Sequence, residues 1–423
     1  MNKKIKKVQN IKNIKKEKAE NDKVKKIKIR IIGIGGGGGA IVSEIASQIS
    51  GASFLAANTD TQALKTINKN VNCFQFGQNL TQGLGTGMKI DLGSQAAQNE
   101  KDKIKKLCQG YDICIIIACL GGGTGGGATP IFAKISKELG NITYGIFTLP
   151  FKFEGERKME MAKDSFRKIK NHLDAITIIP NERIFQIIDK DTPLKQAFSL
   201  INKKLANGLK GLIETIYEPG LINIDFADLK TIFQNQEKLT YLDTIEIFKQ
   251  ENSTEDLTKQ ILNSPLYPYT IKGAKGVLFN IVGQKNLSLS EVEQISKNIS
   301  ELVSPEAKII FGISHNKKNT SAEPIIKTTL LTVGCTWPLK QKKTIVKNKT
   351  INKQKRSKKA VIKTSIKLPI KKIIDKIDIE ENRTRKDGLQ IKKEVQELEM
   401  EMLEKEKFWE IPAFLRRKSI KKI

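Results

Sequence analysis

Five short apolar runs punctuate the first half of the chain, at Ile27–Ile32, Ser53–Ala57, Ile113–Cys119, Ile142–Thr148 and Ala175–Ile179. Their length predicts strands, and the continuous apolar, β-branched run Ile113–Cys119 predicts one that is buried. Helical periodicity follows the first run at Ile41–Ile49 and the third at Ile131–Leu139. Strand alternating with helix predicts an α/β domain built on a parallel sheet. A longer helical pattern runs from Pro193 to Tyr217, with Phe198 and Asn202 four residues apart and so on one face. Beyond it, strands at Gly276–Val282, Ala307–Ser314 and Lys327–Val333 accompany a helix at Ser290–Val303. They predict a smaller α+β domain, joined to the first through the long helix.

Glycines mark the strand–helix junctions. Gly33-Ile34-Gly35 to Gly39 follows the first run, Gly83-Leu84-Gly85-Thr86-Gly87 follows the second, and Gly121 to Gly127 follows the third, with Thr124 as its lone hydroxyl. A glycine loop between strand and helix aims free N–H groups and a helix dipole at an anion. Without Cβ atoms the backbone can lie directly against phosphate oxygens. Gly33, Gly35 and Gly38 also satisfy G-x-G-x-x-G, with Asp60 in range of a ribose, which is the fingerprint of an NAD-dependent oxidoreductase. A dinucleotide fold uses one such loop, however, and three converging loops suit a mononucleotide whose phosphates are wrapped from several sides.

Composition narrows the class. Of the net charge of +29, the segments 1–28, 340–372 and 413–423 hold +28, so the body is close to neutral and is not a basic surface for nucleic acid. No apolar run is long enough to span a bilayer and no signal-peptide core precedes the first strand, which predicts a cytoplasmic protein. Five cysteines without paired spacing and two histidines predict neither disulfides nor a structural metal site. Two carboxylates, Asp225 and Asp228, stand three residues apart at a helix start, where they can cap the helix or serve as a base.

Residues 28–335 resemble the FtsZ family, the tubulin-like GTPases of bacterial cell division. The likeness rests on GGGTGGG at 121–127 (GGGTGTG in the family), NTD at 58–60, GLGTG at 83–87, PFKFEG at 150–155 and IIPNERI at 178–184. The stretch Gly220-Leu221-Ile222-Asn223-Ile224-Asp225-Phe226-Ala227-Asp228 is similar to the family's synergy loop. The resemblance implies a tubulin-like fold that binds GTP or GDP, with magnesium accompanying the phosphates. Gly36, Gly37, Gly38, Gly39 and Ala40, with Gly122, Gly123, Thr124 and Gly125, would hold the phosphates. Lys158 stands at the position of an arginine that meets them. Glu154 would take the ribose, Phe198 would stack on guanine, and Asn202 would read its edge. Asn223, Asp225 and Asp228 would complete the active site of the next subunit, coupling hydrolysis to head-to-tail assembly into the division ring. The chain departs from the family at Ala40 (asparagine), Gly126 (threonine), Lys158 (arginine) and Asn202 (the bacterial aspartate). A slow or non-hydrolysing filament scaffold is the alternative that these changes suggest.

Residues 1–26 read as a disordered basic extension and 336–388 as a disordered basic linker. Ile391, Val395, Leu398 and Met402 then form a narrow amphipathic stripe. The chain ends in Trp409-Glu410-Ile411-Pro412-Ala413-Phe414-Leu415-Arg416-Arg417, exposed apolar residues suited to a partner's groove. That segment resembles the family's C-terminal peptide, which docks on membrane tethers such as FtsA. Ile411, Pro412, Phe414 and Leu415 would make the contacts, placing the polymer at the inner face of the membrane at the division site.

Overall fold

The computed structural model describes residues 26–337 apart from 190, 234–236, 249–252, 263, 284–286 and 316–324. The basic extension up to residue 25, the linker from 338, the amphipathic stripe and the C-terminal peptide lie outside the described residues.

Six parallel strands form the first sheet: β1 (Ile29–Ile34), β2 (Ala52–Asn58), β3 (Asn72–Gln75), β4 (Ile113–Cys119), β5 (Ile142–Leu149) and β6 (Ala175–Pro180), in the order β3-β2-β1-β4-β5-β6. The isoleucine-rich strands are buried along nearly their whole length, as a sheet covered on both faces requires. Register aligns their carboxyl ends: Ile34 pairs with Ala57 and Ala118, Ala118 with Phe147, and Leu149 with Pro180. The loops leaving β1, β2, β4 and β5 therefore open along one edge. Such an edge is where open α/β sheets bind ligands.

The first helix (Gly35–Ile45) packs on β1, β2 and β4. The glycine-led helix (Gly123–Glu138) packs along the helix Ile90–Asn99. Both begin earlier than helical periodicity predicts, by six residues for the first and eight for the second, where Pro130 lies inside the helix. Glycine's poor helix propensity argues for a loop, but tertiary packing overrides it. A Cβ at Gly123 would strike Thr86 and Lys89, one at Gly125 would come within 2.8 Å of the Cys119 carbonyl, and one at Gly127 would run into Ile90. These glycines are helical because neighbouring backbone lies too close for any side chain.

The central helix (Leu194–Tyr217) follows Pro193 and contacts both the first helix and the second sheet. That sheet contains β7 (Thr240–Phe248), β8 (Gly276–Gly283), β9 (Lys308–His315) and β10 (Ile325–Val333), ordered β7-β10-β8-β9. β10 runs antiparallel to β7 and β8, while β8 and β9 are parallel. The two sheets are stitched where Ile176 N–H donates to the Lys238 carbonyl at 2.7 Å, and where Thr177 Oγ1 and Tyr269 OH both donate to the Thr240 carbonyl at 2.8 Å.

β7 is absent from the periodicity-based expectation because Asp243 and Glu246 interrupt its apolar residues. Asp243 is nevertheless buried, accepting from the Thr244 N–H at 2.9 Å and from the Tyr241 and Ser264 hydroxyls at 3.3 Å. Burial pushes its carboxyl above the usual range, against the pull of Lys204 and these hydrogen bonds.

Candidate nucleotide-binding site

A cavity of about 860 Å³ opens at the carboxyl edge of the first sheet. It is lined by Gly35–Gly37, Gly85–Gly87 and Gly121–Gly125, so the three glycine-rich segments converge on one space. Threonine hydroxyls lock the second and third of these to the loop after β2. Thr124 Oγ1 lies 2.7 Å from Thr59 Oγ1 and 3.3 Å from Thr86 Oγ1, all three residues being buried. Asp60 Oδ1 accepts from the N–H groups of Gln62 and Ala63, capping the short helix Thr61–Lys65, and Thr61 N–H donates to the Gly83 carbonyl. The hydroxyl of the third glycine run thus ties loops together within the wall.

The first helix and the glycine-led helix both start at this cavity. Neither N-terminus is capped by a side chain, and neither carries an acid in its first turn. Each leaves N–H groups and the positive end of its dipole for an anion. The glycines divide into two sets here. Most are demanded by packing, but a Cβ at Gly36 would meet nothing within 4 Å, and one at Gly122 only the Cys119 carbonyl at 4.0 Å. Those two are bare toward the cavity itself, as is Gly87, whose φ of +54° favours glycine in any case.

At the rim, Glu154 and Lys158 pair at 2.9 Å, and Glu154 Oε1 also accepts from Phe151 N–H at 2.9 Å. Burial raises the Glu154 carboxyl, but the Lys158 ammonium and the Phe151 N–H outweigh it and hold the group below its ordinary range. Phe151 is buried at the centre of an aromatic cluster, stacked on Phe153 at 4.7 Å and edge-on to Phe198 at 5.9 Å. Phe198, Asn202 and Glu44 form the far wall. There Glu44 accepts from Ser199 Oγ at 2.5 Å and from Asn202 Nδ2 at 2.6 Å.

Of the expected phosphate and base contacts, Gly36, Gly37, Ala40, Gly122, Gly123, Thr124, Gly125, Glu154, Lys158, Phe198 and Asn202 line the cavity. Gly38 and Gly39 do not: a Cβ at Gly38 would press on the Ile117 carbonyl, and one at Gly39 would face Ile67 and Ala56. Asn223, Asp225 and Asp228 lie outside this chain's cavity. Asp225 Oδ1 accepts from Asp228 N–H at 2.7 Å and Asp228 Oδ2 from Asp225 N–H at 3.1 Å, a reciprocal cap on the helix Phe226–Phe233. Asn223 Oδ1 accepts from Gly220 N–H at 2.6 Å. Glu44 was not legible as a site residue, although its spacing of four from Ala40 and eight from Gly36 is the signal that finds it.

A doubly wound parallel sheet with two uncapped helix N-termini over bare glycines defines a nucleotide-binding α/β protein. Comparisons with known proteins narrow that class. Residues 28–189 match the GTPase domain of the Tubulin/FtsZ family, and residues 245–335 match the C-terminal domain of the FtsZ family. The cell division protein FtsZ of Coxiella burnetii is 38% identical over 286 residues, covering 67% of this chain and 73% of that protein. Among solved structures, an empty FtsZ dimer from M. jannaschii matches with a TM-score of 0.66 at 35% identity, over 76% of this chain and 92% of that one. A GTPγS-bound CetZ2 protofilament from Haloferax volcanii shares the fold, with a TM-score of 0.61 at 18% identity, over 73% of this chain and 94% of that one.

The chain belongs to the FtsZ family. It is accordingly a tubulin-like cell-division GTPase that binds guanine nucleotides, from a family that forms polymers. The oxidoreductase reading is not supported. The strand order is shared with dinucleotide folds, but Gly33–Gly38 is one of three glycine segments around a single cavity, and Asp60 is spent on a helix cap. No helix among the described residues is long and apolar enough to cross a membrane.

Proposed function

We propose that GTP lies in the cavity with its phosphates on the two helix N-termini, against Gly36, Gly37, Ala40 and Gly122 to Gly125. The observation that carries this placement is the pair of uncapped helix starts beside the two glycines that packing does not require. Glu154 meets the ribose, Phe198 stacks on the base, and Asn202 faces the base edge. Lys158, held by Glu154, supplies positive charge near the phosphates without the two-pronged geometry of a guanidinium. Magnesium fits as a phosphate-bound ion that keeps several waters: the cavity offers phosphate-holding backbone and scattered carboxylates at Asp60 and Glu154. When bound, it neutralises charge on the phosphates.

The cavity is rich in donors and its own carboxylates are engaged, Asp60 in a helix cap, Glu154 with Lys158 and Glu44 with Ser199 and Asn202, whereas Asn223 and Asp225 are exposed and Asp228 half-buried on a separate surface. Supplied by the next copy of the chain, these acids orient and deprotonate the attacking water. The exposed apolar side chains Leu221, Ile222, Ile309 and Phe311 border the same segment and β9, as a protein–protein contact requires. A contact between two different surfaces does not close on itself, so it propagates as a filament. GTP-dependent light scattering with phosphate release tests the reading. Wild type should give both, and Asp225→Ala should assemble without releasing phosphate. Assembly with undiminished release from the variant would refute the trans-acting acid. Polymer without release from wild type would favour the slow scaffold, which the pairing of Lys158 with Glu154 favours.

The same reading places the polymer at the cytoplasmic face of the division site, held by a tether such as FtsA through Ile411, Pro412, Phe414 and Leu415. Phe414→Ala should abolish tether recruitment and leave polymerisation intact.

A further inference from the structure

Along the first helix, Gly36, Ala40 and Glu44, at i, i+4 and i+8, form a stripe that lines the cavity, with Gly35, Gly37 and Ile41 beside it. Along this stripe the side chain grows from none, to a methyl, to a carboxylate. From Gly36 to Glu44 the helix advances about 12 Å at 1.5 Å per residue, roughly the reach from the phosphates to the base of a nucleotide lying along it. A carboxylate beside the phosphates would repel them. At the far end it is clear of that repulsion and stands in the wall that also holds Phe198 and Asn202.

The hydrogen bonds at that end leave acceptors. A carboxylate can only accept, so the Asn202 group that meets Glu44 is its NH₂, and the Asn202 Oδ1 is left for other partners. Glu44 Oε1 takes the Ser199 hydroxyl and Oε2 the Asn202 amide, and each oxygen retains a second lone pair. Glu44 and Asn202 together thus offer neighbouring acceptors to the cavity. The Watson–Crick edge of guanine presents two neighbouring donors, N1–H and the 2-amino group, whereas adenine presents an acceptor at N1.

We infer that Glu44 touches the base: its carboxylate accepts from the 2-amino group of guanine while Asn202 Oδ1 accepts from N1–H. Glu44 is then a specificity-determining residue. The inference rests on the cavity being the GTP site. Calorimetric titration of the full chain with GDP, IDP and XDP separates the two claims, the diphosphates keeping assembly out of the measured heat. Hypoxanthine lacks the 2-amino group, and xanthine carries an oxygen in its place. Wild type should bind GDP roughly tenfold or more tightly over IDP, the loss expected for one charge-assisted hydrogen bond, and XDP weakest. Glu44→Gln, which offers an N–H where the carboxylate only accepts, should bring GDP and IDP to within about twofold and raise XDP affinity. Equal binding of GDP and IDP by wild type overturns the inference without any variant. So does a Glu44→Gln protein that weakens all three alike or leaves their ratios unchanged, because Glu44 would then only hold Asn202. Absence of GDP binding by wild type would instead overturn the cavity assignment itself.

Discussion

At the nucleotide cavity, the hydroxyls of Thr59, Thr86 and Thr124 join three loops behind a wall of close-packed glycines, and every polar tie is internal to the chain. At Gly220–Asp228 the backbone of Leu221 and Ile222 pairs with Ile313 of β9, but the polar side chains Asn223, Asp225 and Asp228 bond only within the segment, and Leu221, Ile222, Asn223 and Asp225 stay exposed beside bare apolar side chains on β9. One region is finished by its own fold, and the other is capped locally and left open. A binding pocket must exist before its ligand arrives, so its cost of ordering is met during folding. A catalytic group that acts only after assembly gains from being held in shape without being buried.

The largest test breaks the second region alone. Asp225→Ala should lower phosphate release about 10²- to 10⁴-fold, the usual worth of a general base, while nucleotide affinity stays within about twofold by calorimetry. Mixing it with a pocket variant such as Gly36→Leu should restore part of the release, because one mixed interface regains both halves. Absence of rescue at equal subunit ratios would place the acids in cis.

Gly36→Leu, in turn, sharpens the first region. Its side chain enters open space, so the melting temperature should hold while GTP affinity falls about 10- to 100-fold, equivalent to roughly 1–3 kcal/mol of overpacking against the ligand. Gly127→Ala should do the opposite, since its Cβ runs into Ile90 and Ser94: calorimetric melting should show the loss before any nucleotide is added.

A smaller effect concerns the missing threonine of the glycine signature. The buried Ser165 hydroxyl, which has no hydrogen-bond partner among the described residues, occupies the space that a Cβ at 126 would need. Gly126→Thr should therefore cost about 1–3 kcal/mol by chemical denaturation, and adding Ser165→Ala should recover much of it. Additive losses in the double variant would show that the two positions are not matched.

The smallest effect is at the rim. Because the Glu154 carboxyl is held below its ordinary value of 4.5, its stabilisation is present above that pH and lost as pH falls through the lower folded value. The stability gap between wild type and Glu154→Gln should be small, constant near neutrality and closed in strong acid. A gap that widens on acidification would contradict the pairing with Lys158.

Much of this was readable beforehand. Ile113–Cys119 spans β4 from first to last residue, and the central helix starts one residue after Pro193, because continuous burial and a proline stop leave few alternatives. The helix starts at Gly35 and Gly123 are not legible from periodicity, which begins at Ile41 and Ile131, since propensity is local and the crowding comes from far away in sequence, from Cys119 against Gly37 and from Thr86 and Ile90 against Gly123 and Gly127. β7 escaped for a related reason, its Asp243 being satisfied by Ser264 and Tyr241 only once the sheet is built.

By itself, then, the order of apolar runs and glycine motifs determined a parallel α/β domain, its family and most of the expected residues that line the cavity. The tertiary structure decided which of those residues face the cavity. It separated Gly36 and Gly122, bare toward the ligand, from glycines required by packing, and it brought Glu44 beside Asn202 across more than 150 positions. It also left Asp225 and Asp228 on a different surface from the pocket. Periodicity reports which side of an element is buried, but only the packed chain sets which distant side chains share a hydrogen bond.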